Sequence, residues 1–303
     1  MALDVSVIFV NYKTLAVLVP AIDSVLEKSE GFSYEVIVVD NHSEDDSERI
    51  LKERYGERVT YLSLSENIGF GRANNEGAKV AQGRYLLLLN PDTLLMNNAI
   101  GILKDYLDAH LDVAIAGGNL FSLEGKPNAS FERKCLFPSW FMELSYLSAW
   151  TLPRLIYGRN FEFNYTGRPL EVGFIIGADM MFRAEVFYRL GGFDPDYFMY
   201  AEETDLSYRA AKAGYKSMSI PDAHIIHLEG KSHVYKEKQA QMRYHGRKIY
   251  YAKHHGRCYF HIANFIHRMT IWSRIAGYAL LGNTKKKQEW QSNRILFNRS
   301  ICD

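Results

Sequence analysis

Leu86-Leu87-Leu88-Leu89 runs without a break into Asn90-Pro91-Asp92-Thr93, and this stretch narrows the fold more than any other in the 303 residues. An apolar run this short, introduced by Gly83-Arg84-Tyr85 and cut off by a proline that cannot donate to a ladder, reads as a strand buried on both faces. Asp92 then stands at the strand's carboxyl end, where open α/β sheets hold their ligands. A carboxylate there can hold a divalent metal against a diphosphate. Equally, Asn90 and Asp92 can shape a turn that starts a helix from about Asn97.

Residues 5–12, 35–41 and 59–64 are dense in β-branched and aromatic side chains and read as three earlier strands. Helical spacing covers 15–29, cap-type residues from Ser43 to Asp46 open a second helix, and 72–82 forms a third. Strand and helix alternating in this way predict an α/β chain with a doubly wound, mostly parallel sheet and helices on both faces. Further on, the spacing predicts a helix from about Leu94 to His110, a short strand over 113–116 and a strand-like run over 172–182.

Asn11, Asp40 and Asn67 each fall at or just after a strand's carboxyl end, as Asp92 does. Polar groups delivered to one edge by successive strands suit a nucleotide-sized crevice, although each alone also fits a cap or turn. Gly69-Phe70-Gly71-Arg72-Ala73-Asn74 imitates a dinucleotide fingerprint. Asn74 occupies the place of the last glycine, and the loop follows the third strand rather than the first, which argues against a nicotinamide or flavin enzyme.

Residues 131–168 crowd aromatic side chains, including Phe137, Trp140, Phe141, Tyr146 and Trp150, around Pro138 and Pro153. They fit either core helices or a cover over the site. Glu202, Glu203 and Asp205 then open a helix after an apolar lead-in. The macrodipole favours carboxylates there, and that account suffices for Glu202. A partly desolvated carboxylate in the same turn is also suited to act as a general base. His227, on an apolar run, is structural unless the chain folds it beside Asp92, where its imidazole would complete a metal site.

The net charge of +1 conceals a split. From His233 onward fourteen Lys and Arg face only Glu237, Glu289 and Asp303, whereas 22 basic residues face 32 acidic ones before it. This divides the chain into a body, 1–232, and a basic helical tail, 233–303. In the tail, Ile262, Phe265, Ile266, Met269, Trp272, Ala276 and Leu280 share a helical face, and Lys285-Lys286-Lys287 follows. Such a helix lies in the plane of an anionic membrane surface, or packs on the body or on a second copy in a homodimer. No nucleic-acid-binding module accompanies the charge, so nucleic acid is not expected. Cys135, Cys258 and Cys302 are odd in number and lack zinc or redox spacing; with no secretory signal or spanning run, they suggest a cytoplasmic setting, peripheral on the inner face of the membrane if the tail binds there.

An ordered set of motifs now stands out: the first strand into Asn11-Tyr12, Val39-Asp40-Asn41 with Ser43, Asn67-x-Gly69 with Ala73-x-Asn75, and Leu89-Asn90-Pro91-Asp92. It continues through Gly177-Ala178, Gly192-Phe193-Asp194, Glu202-Glu203-x-Asp205 with Arg209, and His227-x-x-Gly230-x-Ser232. Over roughly 5–232 the chain resembles the inverting, nucleotide-sugar-dependent glycosyltransferases of family 2, with the GT-A fold, and especially rhamnosyltransferase-like members. The resemblance implies a nucleotide-binding half over 1–118 and an acceptor half over 119–232. It implies that Asn11 and Asp40 hold the base and ribose of the donor and that Asn67 and Asn75 line that pocket. Asp92 corresponds to the metal-binding end of a D-x-D motif for Mg or Mn, with His227 as a further ligand, and Glu203 to the catalytic base. It further implies transfer of a sugar, L-rhamnose from its dTDP donor being the candidate, to a cell-envelope or lipid-linked saccharide. In three places the chain departs from the family: Asn90 replaces the first acid of D-x-D, Glu203 the usual Asp, and Gly173-Phe174 an Asp-Trp pair of the acceptor region. The first departure leaves a non-catalytic nucleotide-sugar-binding protein of the same fold as the alternative.

Overall fold

In the computed structural model, which describes residues 3–133, 144, 147–148, 151–228 and 236–302, the leucine run lies in strand β4 (Gly83–Leu89). All four leucines are buried, as a strand with both faces covered requires. Strand β1 (Leu3–Asn11) lies parallel to β4 on one side and to β2 (Tyr34–Asp40) on the other, and β3 (Val59–Ser63) runs parallel to β2. The register puts Asn11 opposite Asp40, so their polar side chains leave the sheet at one edge.

Alternation along β1 builds the two layers. Val5, Val7 and Phe9 pack with the buried faces of α1 (Leu15–Lys28) and α4 (Ala99–Ala109), while Ile8 and Val10 point the other way. There they meet α3 (Phe70–Val80), α6 (Ala184–Arg189) and α7 (Glu202–Lys212). Helix α2 (Ser47–Tyr55) connects β2 to β3. Gly77 lets α3 approach closely, since a Cβ there would lie 2.7 Å from Ile8 Cγ2.

Beyond β4 the sheet becomes mixed. Strand β10 (Asp179–Arg183) is antiparallel to both β4 and β6 (Val113–Phe121), and β11 (Lys216–His227) is parallel to β6. Strands β5 (Thr93–Leu95) and β8 (Leu170–Val172) both pair antiparallel with β11, and β7 (Phe131–Glu132) pairs with β9 (Phe174–Ile175) in a small second sheet.

Three local expectations change. Leu94 and Leu95, read as the start of a helix, lie in β5, because they find partners in Ile226 and Ile225, more than a hundred residues away. The run 172–182 spans the end of β8, β9 and the start of β10, with Gly177-Ala178 as the turn between the last two. Strand β6 continues straight through Gly117-Gly118 because a Cβ on Gly118 would lie 2.5 Å from Ala223 O, a spacing that admits only glycine beside β11. Of the aromatic segment, Phe131, Phe161 and Phe163 are buried; Phe137, Trp140, Phe141, Tyr146 and Trp150 lie outside the described residues, as do Gly230 and Ser232.

The chain sorts into two compact units, one of Met1–Arg133, Arg159–Phe198 and Glu202–His233, the other of Lys134–Gly158, Met199–Ala201 and Val234–Asp303. The second contains α5 (Thr151–Tyr157), α8 (Lys236–His254), α9 (Gly256–Leu280) and α10 (Thr284–Cys302). Its small core joins Ile271, Ile275 and Phe297 with Tyr244 and Trp290. The apolar stripe read from the sequence is not this inward face: Ile262, Phe265, Met269, Trp272 and Leu280 are all exposed. Among the described residues no helix is long and apolar enough to cross a membrane.

Candidate functional site

The edge where β1, β2 and β4 end is organised by Asn11. Its amide donates to Asp40 Oδ1 at 2.7 Å, Ser43 Oγ at 3.1 Å and Ser47 Oγ at 3.0 Å, while its carbonyl accepts from the backbone and hydroxyl of Thr14. With 0% exposure and every polar atom engaged, Asn11 reaches the crevice only through the carboxylate it orients. Asp40 Oδ2 accepts from Ser43 N at 2.9 Å, so both its oxygens are held.

The next loop is locked in the same manner. Asn41 donates to Asn67 Oδ1 at 3.0 Å and accepts from Ile68 N at 2.9 Å, and Asn67 Oδ1 also accepts from Gly69 N at 3.0 Å. Gly69 has φ +90°, and a Cβ on it would lie 2.2 Å from Phe198 O, which accepts from Phe70 N at 3.0 Å. Any side chain would break that junction. Asn75 clamps the backbone of Phe193, donating to its carbonyl at 2.8 Å and accepting from its N–H at 2.9 Å. Its side chain therefore shapes the Gly192-Phe193-Asp194 loop.

Asp92 and His227 come together through the sheet. Pairing of β5 with β11 sets Thr93 opposite His227, and Leu228 N donates to Asp92 O at 2.9 Å. Asp92 Oδ1 and His227 Nε2 lie 3.4 Å apart with both side chains largely buried, and His227 Nδ1 is buried without a hydrogen-bond partner. Among the described residues no group of three His, Cys, Asp or Glu converges as a metal cage. A carboxylate and an imidazole at this spacing still fit a divalent ion whose other ligands are donor phosphate oxygens and water, the usual habit of Mg²⁺ in phosphate sites.

Glu202 and Glu203 begin α7 after two residues, Tyr200 and Ala201, in the left-handed region at φ +72° and +73°, a strained entry of the kind found at functional sites. Glu202 is buried with Oε2 unpartnered, and desolvation followed by the charge of Glu203 holds its carboxyl well above the usual range. Glu203 is half-buried; desolvation and the field of Glu132 outweigh backbone hydrogen bonds from Glu203 and Thr204, pushing it up to about 6. Burial therefore lifts both carboxyls of this turn above the ordinary range.

A short chain of contacts ties Glu203 to Asp92. A Cβ on Gly177 would lie 3.9 Å from Glu203 Cβ, and the next residue, Ala178, accepts from Asn90 N at 2.9 Å. The acid of the fourth strand and the acid of α7 thus share one sheet edge. Asp205 is spent differently: Arg209 grips its Oδ2 at 2.8 and 2.7 Å and donates onward to Leu190 O and Gly192 O, pinning the same glycine loop that Asn75 holds.

Two acids are more deeply buried than the sequence suggested. Glu202, accounted for there by the helix dipole alone, is desolvated inside the site. Asp179, opposite Leu89, is fully buried, accepts from Gly118 N and leaves Oδ1 unpartnered, so burial raises its carboxyl far above the ordinary range. An acid inside the apolar run Ile176-Gly177-Ala178-Asp179-Met180-Met181 was the available signal for it.

Residues 6–191 match the family model described as "Glycosyl transferase family 2", and 155–282 match "Glycosyl transferase family group 2". Among sequence relatives, the N-acetylglucosaminyl-diphospho-decaprenol L-rhamnosyltransferase of Mycobacterium tuberculosis is 29% identical over 230 residues, covering 65% of this chain and 67% of that protein. The minor teichoic acid biosynthesis protein GgaB of Bacillus subtilis is 33% identical over 128 residues, covering 41% of this chain, which thus matches only 14% of its length. Among solved structures, the mannosyltransferase PcManGT of Pyrobaculum calidifontis, in complex with GDP-Man and Mn²⁺, superposes with a TM-score of 0.60 at 16% identity, over 100% of this chain and 87% of that one. The architecture is the GT-A fold.

Proposed function

This chain belongs to glycosyl transferase family 2, and from that premise we propose that it transfers a sugar from a nucleotide-sugar donor to a cell-envelope saccharide, with inversion at the anomeric carbon. The observation carrying this reading is Glu203: a carboxyl pushed up to about 6 on the same sheet edge as the Asp92–His227 pair.

Each group has a task in that scheme. The half over 1–118 takes the nucleotide, with Asp40, oriented by Asn11 and Ser43, offering its carboxylate to the ribose or base. Asn67, Gly69 and Asn75 keep the rim of the pocket fixed. Asp92 and His227 would hold the divalent ion, which would neutralise charge on the departing diphosphate. In the half over 119–232 Glu203 takes the proton from an acceptor hydroxyl as its oxygen attacks the face of the sugar opposite the diphosphate. Glu202, its carboxyl raised by burial and by the charge of Glu203, lies beside that base. The mycobacterial relative's name motivates the finer assignment, L-rhamnose to a lipid-linked saccharide; a dTDP donor and a place at the inner face of the cell membrane belong to the same proposal.

The test is donor turnover by the purified chain across UDP-, GDP- and dTDP-sugars, with Mn²⁺ or Mg²⁺ and with EDTA. Metal-dependent turnover of one donor that is lost in Glu203→Gln supports the reading. Binding of a donor without turnover, in the presence of a lipid-linked saccharide, overturns it in favour of a binding protein.

A further inference from the structure

Two features of α9 and α10 meet on one surface, and the sequence around them carries a third. Along the 25-residue α9, Ile262, Phe265, Trp272 and Leu280 are 50, 65, 53 and 90% exposed, at spacings that keep them on one side. Isolated exposed apolar side chains are ordinary, but a row of them along a helix marks an interaction surface. Trp272 also borders a groove of about 640 Å³ between α9 and α10, where Arg268, Arg294 and Arg299 stand among Ile271, Ile295 and Phe297. The Arg294 guanidinium lies 4.9 Å from the Trp272 ring centroid, and none of the three arginines makes an ion pair among the described residues. Finally, residues 238–288 carry eleven Lys and Arg and no Asp or Glu.

We propose that this face docks on an anionic phospholipid bilayer, with Phe265, Met269 and Trp272 entering the acyl boundary and the arginine groove receiving a headgroup phosphate. Guanidinium groups match phosphate oxygens in pairs of hydrogen bonds, and apolar side chains beside a basic rim gain both burial and attraction at such a surface. The charge also selects lipid over a second copy of the chain. An isologous contact would set Arg268, Arg294 and Arg299 against their own copies, whereas an anionic leaflet complements them.

The full chain is sedimented with phosphatidylcholine vesicles, with and without phosphatidylglycerol, at low and high salt. Binding is expected only with phosphatidylglycerol and is weakened by salt. The triple variant R268Q/R294Q/R299Q should bind about a hundredfold less tightly, at about fivefold per arginine. The pair F265S/W272S should lose roughly a hundredfold through apolar burial. These side chains face solvent, and an unchanged melting curve checks that the fold survives; K285Q/K286Q/K287Q, outside the groove, serves as a second basic set and should lower binding by a similar salt-sensitive factor. No phosphatidylglycerol-dependent binding of the intact chain, or wild-type binding by R268Q/R294Q/R299Q, overturns the proposal. So does a lipid-free dimer that F265S/W272S converts to monomer.

Discussion

Replacing Glu203 with glutamine separates chemistry from stability, because the same burial serves one and opposes the other. Folding raises this carboxyl from 4.5 to about 6, chiefly by desolvation. At pH 7 the group is about nine-tenths ionised and able to accept a proton; at pH 5 only about a tenth is, so kcat should fall about tenfold per pH unit below about 6. The stability effect has the opposite sign. A raised carboxyl means that the native state binds more protons than the unfolded chain, so the penalty is absent below pH 4.5 and complete above about 6, where it reaches about 2 kcal/mol. Glu203→Gln should therefore lose about 10²–10⁴-fold in kcat with little change in donor affinity. It should also be more stable than the parent to urea at pH 7.5 by up to about 2 kcal/mol and equal to it near pH 4. Initial rates of nucleotide release against pH, paired with urea unfolding at both pH values, measure the two effects. Parental turnover in the variant, or an acid limb near pH 4.5 in the parent, would refute the reasoning.

Other residues give sharper structural outcomes. Asp92→Asn and His227→Ala should each weaken Mn²⁺-dependent donor binding by about tenfold or more, read by titrating metal against nucleotide-sugar binding, with metal-free binding unchanged. Gly69→Ala, at φ +90° and with its new Cβ 2.2 Å from Phe198 O, should lose at least about 1 kcal/mol in denaturant unfolding and weaken donor binding through the displaced Asn67 loop. Arg209→Met strands the buried Asp205 carboxylate and frees the Leu190 and Gly192 carbonyls, so a loss of about 3–5 kcal/mol is expected; the double change with Asp205→Leu should recover part of it.

The sequence alone determined what depends on neighbours in the chain. Four strands and their helices, the burial of Leu86 through Leu89, and the delivery of Asn11, Asp40, Asn67 and Asp92 to strand ends follow from periodicity and punctuation that each segment carries itself. Tertiary structure decided everything that needed a distant partner. His227 became a neighbour of Asp92 only when β11 paired with β5, and that same pairing drew Leu94 and Leu95 out of a helix. Asn75, which only the resemblance assigned to the pocket, spends its amide on Phe193, more than a hundred residues away. The burial of Glu202 and Asp179 depends on what packs over them, which no local spacing records. The stripe on α9 was visible as a period, but its exposure was not, because Ile271 and Ile275 on another side of the helix found Phe297 and left the more apolar row to solvent. Spacing shows which side chains share a face; only the packed neighbours decide which face is covered.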